Sequence, residues 1–395
     1  MLFQTLDSKN ECVGIYSGGK ITYDEIPSDL TRTWAYAPYL EGQNIEYASL
    51  YAIGDSLEDC CPEEMREEYF RVRNKLKAYF RSFIESKVDL NKLCFFDLVP
   101  ERFLKEYCEI KNNITDYVLK NYPKPENYDF LAKLSKVANN IRYNKINIDN
   151  RALSSMSASP KGKAFYKKLK KTIPYVSYNI FGTITGRLTT RRNSFPILTF
   201  PKEFRNIIKP NNDYFLELDF NAAEIRTLLA LAGHEQPEED IHDWIAKNIF
   251  EGSVSREESK VKTFAWLYNP EAQNPKLERI FDREKIYDLY WKEGVVCTPF
   301  GRKIKADHKH ALNYLIQSTT SDIFLRQMIK VSNIIEDKKS YISFCIHDSL
   351  IIDLAKEDTN LVEDIKNTFS NTQFGQIKSN IEIGKQFGGM KKLEF

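Results

Sequence analysis

Two aspartates in this sequence sit where an aspartate is costly. Asp219 lies near the end of the apolar run YFLELDF (214–220), with Phe220 after it. Asp348 lies between the apolar runs Tyr341–Ile346 and Leu350–Leu354, with His347 before it and Ser349 after it. A connection this tight normally wants Gly or Asn, which reach positive φ easily. An acidic residue in an apolar strand is expensive to bury unless it is paired or bound to metal. Two carboxylates at the ends of neighbouring strands could hold a pair of Mg²⁺ ions, which prefer oxygen ligands. Two metals suit an in-line phosphoryl displacement, one activating the attacking oxygen and the other stabilising the leaving oxygen. The plainer reading is that each Asp caps or solvates a strand end.

A second pattern is REESKVKTFAWLY (256–268), with Arg256, Lys260, Phe264 and Tyr268 at steps of four. On a helix each such step turns ~400°, so the four drift only ~40° per step and span ~18 Å. Two cations followed by two aromatics could grip a triphosphate and cover a base or sugar. The competing reading is ordinary amphipathicity, since Val261, Phe264, Ala265 and Tyr268 also fit a core-facing pattern.

The elements that must carry these groups are legible in outline. YFLELDF alternates as a strand, AAEIRTLLALAG reads as a helix stopped by Gly, and EESKVKTFAWLY as another helix. Before them, residues 62–145 look helical. Pro62 sits at a plausible first-turn position, and further helices are expected around Glu101–Asn121 and Tyr128–Arg142. Short strand-like pieces fall at Cys12–Tyr16 and Lys20–Tyr23. No internal repeat, low-complexity tract or long linker is evident.

Composition excludes several classes. The chain has 395 residues, 42% of them apolar, enough for two or three substructures with a large core. No run approaches the ~20 apolar residues of a membrane span, and the N-terminus lacks a secretory pattern. Seven scattered cysteines without zinc-ligand spacing read as reduced thiols in a cytosol-like compartment. Net charge is only +2, yet residues 150–202 hold eleven Lys or Arg and no Asp or Glu. That tract is either a solvated surface or a track for a polyphosphate backbone.

Taken in order, the pieces resemble the polymerase region of family A DNA polymerases, the group of bacterial DNA polymerase I and many phage replicases. TGRL (185–188) is similar to the primer-contacting loop. LELDFNAAEIR (216–226) resembles motif A, with Asp219, Glu224 and Arg226 at the recurring spacing. Arg256, Lys260, Phe264 and Tyr268 match motif B, the nucleotide-binding fingers helix. TPFGRK (298–303), with Asn313 and Gln317, resembles the template–primer contacts, HDS (347–349) resembles motif C, and IEIGKQFGGM the final palm strand. The resemblance covers roughly residues 125–395 and is closest in wording to bacteriophage members.

The resemblance implies an α+β right-hand fold: an antiparallel palm (181–235 and 293–395), shortened fingers (236–292), a mostly helical thumb (61–180), and an N-terminal extension (1–60) of unknown role. It implies that Asp219 and Asp348 are catalytic and, with Phe220, hold two Mg²⁺. The dNTP would meet Arg256, Lys260, Phe264, Tyr268, Glu224 and His242. Primer–template DNA would meet Thr185, Arg187, Arg226, Arg302, Asn313, Gln317 and His347. Glu224 beside the sugar would exclude a ribose hydroxyl. The expected enzyme is a monomer away from membranes, in host cytoplasm if phage-encoded, with any replication accessory proteins unidentified.

The sequence departs from the family at several points. Ser349 stands where motif C usually ends in Glu, Asn269 replaces the Gly after the motif B Tyr, and the spacing from His242 to Arg256 is compressed. A two-metal nuclease, a single-subunit RNA polymerase and a non-catalytic DNA-binding replication protein remain as alternatives. No Asp-x-Glu precedes TGRL, and in TYDEIP (22–27) the two acids are adjacent, so a proofreading exonuclease is not expected.

Overall fold

A computed structural model describes residues 1–8, 11–23, 26–37, 42–90, 92–156 and 158–393. The adjacent acids Asp24 and Glu25 lie outside the described residues. The chain forms two compact units, Met1–Lys136 and Val137–Phe395. This division falls inside the segment 61–180 that the sequence suggested as one thumb region, and it joins residues 1–60 to the helices that follow them.

In the first unit, strands Phe3–Ser8, Glu11–Ser17 and Lys20–Thr22 form an antiparallel sheet. A short strand, Arg32–Thr33, runs parallel to the first through the Leu2–Arg32 bridge. The sheet packs on the helix Glu101–Asn121. That helix buries Phe103, Leu104, Cys108, Ile110, Ile114 and Val118, apolar positions at the i, i+3/i+4 spacing that makes one face. Gln4, fully buried in the first strand, donates through its amide nitrogen to Asn112 Oδ1 and Thr115 Oγ1, both at 3.0 Å, which compensates that nitrogen and leaves the amide oxygen without a partner. The helix Glu63–Glu85 begins just after Pro62, which takes the capping position rather than a place in the first turn; Glu63 and Glu64 lie at its positive end.

The second unit is built on a five-stranded antiparallel sheet. Its order is Tyr341–Ile346, Ser349–Leu354, Tyr214–Phe220, Ser379–Gly384, Lys391–Lys392. The central strand explains its own sequence. Leu216, Leu218 and Phe220 are buried on one face. On the other, Phe215 is buried while Glu217 and Asp219 are only half-buried. Phe215 meets the rings of Phe344 and Phe387 edge-on, closing the far end of that face. The long helix His308–Ile334 buries Leu315, Ile316, Phe324 and Met328, and it also carries buried polar residues such as Ser318, Thr320 and Asp322. A second core surrounds Ile225, Leu229, Trp266, Leu267 and Phe281. No helix of the described residues is long and apolar enough to cross a membrane.

Candidate active site

The central strand and the hairpin beside it bring the two aspartates to one end of the sheet. Asp219 pairs in register with Ser349 on one side and Asn380 on the other. Ile346 pairs with Ser349, leaving His347 and Asp348 as a two-residue tip. His347 takes the positive φ, at 54°, that such a tip demands. Histidine is among the few non-glycine residues enriched there, and its side chain is exposed. The sequence pattern therefore had its turn residue, though not the usual one.

The electrostatics of this end are crowded. Burial, then the charges of Asp348, Glu217 and Glu382, push Asp219 up to about 7. Burial also raises Asp348; Glu224 adds to the shift, while a backbone hydrogen bond, Arg187 and His347 oppose it. Such like-charge crowding is what a bound cation would relieve. Asp219 lines a cavity of about 330 Å³ with Glu217, Asn380, Glu382, Lys202 and Arg205. Asp348 lines a separate one of about 190 Å³ with Thr183, Arg187, Thr320, Cys345 and His347. Among the described residues no three His, Cys, Asp or Glu side chains gather in a metal-binding group. Two carboxylates still fit Mg²⁺, which is commonly held by one or two carboxylates with water and substrate phosphates completing its shell. Phe220 cannot contribute its side chain: the ring is 3% exposed and stacks on Phe369 at 4.3 Å, so only its backbone oxygen remains for a metal.

A sharp turn follows the central strand. Ala222 adopts the left-handed conformation (φ 48, ψ 56), and the helix Ala223–Leu231 starts with Glu224 in its first turn. Arg226 holds this turn together. Its guanidinium donates to Asn221 O, Pro237 O and Glu239 O at 2.9, 2.8 and 2.6 Å, and the residue is 0% exposed. The expected DNA contact of Arg226 is corrected accordingly: every nitrogen is spent inside the protein.

The helix Arg256–Tyr268 decides between its two readings. Its buried positions are Ser259, Thr263, Trp266 and Leu267, while Val261 is 68% and Tyr268 49% exposed. The alternative core-facing set is therefore not the one buried as a whole; of the stripe, Lys260 and Tyr268 are exposed and Arg256 partly so, while Phe264 is half-buried against the core. Phe264 and Tyr268 stack with their planes 3° apart and centroids 5.8 Å apart. Tyr268 donates a hydrogen bond to Glu224, which also receives Arg187 at 2.5 Å. Burial and that acceptor push the Tyr268 hydroxyl well up. Glu224 thus ties the stripe to the 183–188 loop, beside Asp348.

Other expected contacts are placed differently. Arg256 is clamped by Asp240 through Nε at 3.1 Å and Nη2 at 2.9 Å, and it also reaches Glu257. Asp240 further caps the helix Ile241–Asn248 and accepts from Asn221. His242 is 3% exposed, with its ring 5.7 Å from Phe264, so it stands behind the stripe and not on it. Burial lowers its pKa, and its Nδ1 has no partner. Arg302 donates to buried Asp322 at 3.2 and 2.6 Å. Its guanidinium lies over Gly186, whose φ of 77° favours glycine; a Cβ there would come within 2.5 Å of Nη2 and push the guanidinium aside. Arg302 therefore supports the 183–188 loop. Thr185 is 5% exposed and close to Thr183, not open to a duplex. Gln317 donates to Asn313 at 2.7 Å, and both are half-buried on one face of the long helix. Lys260, His347 and Arg187 remain solvent-facing or partly so.

Asp240, Glu217 and Asp322 were not singled out from sequence. Asp240 had a signal, an acidic residue just before a helical run, which is the N-cap pattern. Glu217 had one too, standing two residues before Asp219 and hence on the same strand face. Its carboxylate accepts from Ser349 at 2.5 Å.

The sequence matches no protein-family model and no curated protein. Among solved structures, the chain is similar to the POL domain of Pol1 from M. smegmatis in complex with DNA primer-template and dNTP. The TM-score is 0.57 at 14% identity, over 72% of this chain and 75% of that one. The likeness is one of fold: this chain has the architecture of the polymerase domain of a bacterial Pol1.

Proposed function

We propose that the protein is a template-directed DNA polymerase that adds dNTPs to a primer 3′-hydroxyl. The observation that carries this reading is the convergence of Asp219 and Asp348 at one sheet end with Glu224, which is joined to the exposed Tyr268 of the helix Arg256–Tyr268. The fold likeness supports it.

Asp219 and Asp348 would hold two divalent cations such as Mg²⁺, which when bound would activate the attacking oxygen and neutralise the leaving one. The new bond joins the primer 3′-oxygen to the α-phosphorus, the α–β anhydride bond breaks, and the hydroxyl proton passes to water. Lys260, and Arg256 if released from Asp240, would take up charge on the departing pyrophosphate. Phe264 would stack at the incoming nucleotide and Tyr268 would cover it. Glu224 would crowd a 2′-hydroxyl. Arg187, Asn313 and Gln317 would contact the minor-groove side of the primer end, a check of shape since that groove's pattern is degenerate. We further propose a role in phage DNA replication, within host cytoplasm, with no proofreading activity in this chain.

The test is extension of a primed template with Mg²⁺ and dNTPs, run beside NTPs, for the wild type and for Asp219→Ala and Asp348→Ala. Each variant should abolish extension while duplex binding persists. A variant keeping more than about a tenth of the rate, a barrier change under ~1.4 kcal/mol, is missing no essential ligand. Degradation of the primer with no extension would favour a nuclease.

A further inference from the structure

The strand Tyr341–Ile346 forms one end of the sheet in the order of strands, so among the described residues its outer side has no strand neighbour. Its register also slips between Ile342 and Phe344. A bulged end strand is poorly suited to holding a two-residue tip in place, because its outward amide groups lack a ladder. Yet this strand delivers His347 and Asp348.

One side chain completes it. The Tyr178 hydroxyl accepts from the Cys345 N–H at 2.9 Å and donates to the Cys345 carbonyl at 2.6 Å. One hydroxyl thus does for Cys345 what a neighbouring strand would do, using its donor and one of its acceptor positions. Both residues are buried, at 4% and 1% exposure, and an unpaired backbone group there would be costly. The geometry is consistent with the pairing. Cys345 faces Leu350 in register, and the next pair, Ile346 with Ser349, closes the tip. In an antiparallel hairpin closed by a two-residue turn, the pair adjoining the turn is the hydrogen-bonded one. The preceding residue then points its amide groups outward, toward Tyr178.

Tyr178 is itself anchored at the base of the loop that carries Arg187. The pair Tyr178–Asn179 runs antiparallel to Thr189–Thr190, enclosing residues 180–188. The Arg191 Nε donates to the Tyr178 carbonyl at 3.3 Å. The cavity lined by Thr183, Arg187, Cys345, His347 and Asp348 lies between the two segments that Tyr178 joins.

We propose that Tyr178 is a positioning residue for the Asp348 tip: its hydroxyl fixes Cys345, and so sets the tip against the 183–188 loop. This rests on the polymerase reading above. Tyr178→Phe keeps the ring and removes only the hydroxyl. Two readouts test it on the full chain. The first is hydrogen exchange of the Cys345 amide in the free protein, which is independent of activity. The second is steady-state extension, resolved into kcat, KM for dNTP and Kd for primer–template, at a temperature well below the variant's unfolding transition. The expected result is at least tenfold faster exchange at Cys345 and a drop in kcat of tenfold or more, with KM and Kd within twofold. Faster exchange with unchanged kcat would overturn the positioning role. So would losses in kcat, KM and Kd that rise together, which would mark a general loosening. Unchanged exchange would overturn the brace itself. A wild type that extends no primer removes the polymerase premise, and the exchange readout tells that failure apart from failure of the brace.

Discussion

Phe264 and Glu224 stand on either side of Tyr268, one stacked on its ring and the other accepting from its hydroxyl. The resemblance to family A implies that Phe at this place favours deoxy over dideoxy nucleotides. Phe264→Tyr should raise the efficiency of dideoxynucleotide termination by roughly tenfold or more, a selectivity shift of at least ~1.4 kcal/mol. Termination that stays as inefficient as in the wild type would mean the helix does not face the sugar. Glu224 makes a related case. Its side chain is 16% exposed and held between Arg187 and Tyr268, so it has little freedom to swing away from a ribose hydroxyl. Glu224→Ala should therefore raise the ratio of ribonucleotide to deoxynucleotide incorporation, measured by competition on one template. A flat ratio places the barrier elsewhere. At Ser349 the departure from the family pattern is not simply a lost carboxylate. The hydroxyl donates to Glu217, a carboxylate that enters from the neighbouring strand.

At the scale of elements, Asp240 joins three pieces: it caps the helix Ile241–Asn248, accepts from Asn221 after the central strand, and clamps Arg256 at the start of the stripe helix. Burial raises its pKa, but the hydrogen bonds from Arg256, Asn221 and the Asp243 amide outweigh that and leave it well below the usual carboxylate range. A depressed carboxylate stabilises the fold above its unfolded pKa, and that contribution fades as pH falls through the folded value. Asp240→Asn keeps a good N-cap and removes the charge. With Arg256 40% exposed, the loss at neutral pH should be about 1 kcal/mol. That corresponds to roughly 2–4 °C in the transition of a unit this size. The gap between wild type and variant should hold from pH 7 to about 5 and shrink below about pH 4. Calorimetry across that range checks it, and a gap that widened on acidification would contradict the assignment. Elements of this kind were readable where one face is buried and one is not. The strand Tyr214–Phe220 and the helix Glu101–Asn121 fall where period-two and 3.6-residue patterns put them. The site was less readable. Arg226 and Arg302 carry the same positive charge as Arg187, and a motif cannot tell a guanidinium spent on Pro237 and Glu239 carbonyls, or on Asp322, from one that stays partly exposed as that of Arg187 does. Pairings such as Tyr178 with Cys345, 167 residues apart, leave no local trace at all.

At the scale of the whole molecule, the first unit changes one argument and leaves another standing. A length argument against a proofreading exonuclease, that residues 1–60 alone are near the smallest size that folds independently, does not hold, because Met1–Lys136 is a compact unit with its own sheet and helices, large enough to fold as a domain. The chemical argument does not depend on length. A two-metal hydrolytic site needs several carboxylates converging on one spot, and the expectation against one here rests on the sequence, where no Asp-x-Glu precedes TGRL and the acids of TYDEIP are adjacent. The first strand does carry Asp7, whose charge is a minor influence on the buried Lys111 of the helix Glu101–Asn121; burial, which lowers the lysine's pKa, comes first. The sequence-based expectation remains that residues 1–136 lack 3′–5′ exonuclease activity. The assay supplies a 3′-mismatched, end-labelled primer on a template, with Mg²⁺ and no dNTPs, to the wild type and to Asp348→Ala. The labelled strand should keep its length in both. Steady shortening that survives Asp348→Ala would locate a nuclease apart from the sheet end that holds Asp219 and Asp348. Shortening lost in that variant would instead assign the cleavage to the polymerase site itself.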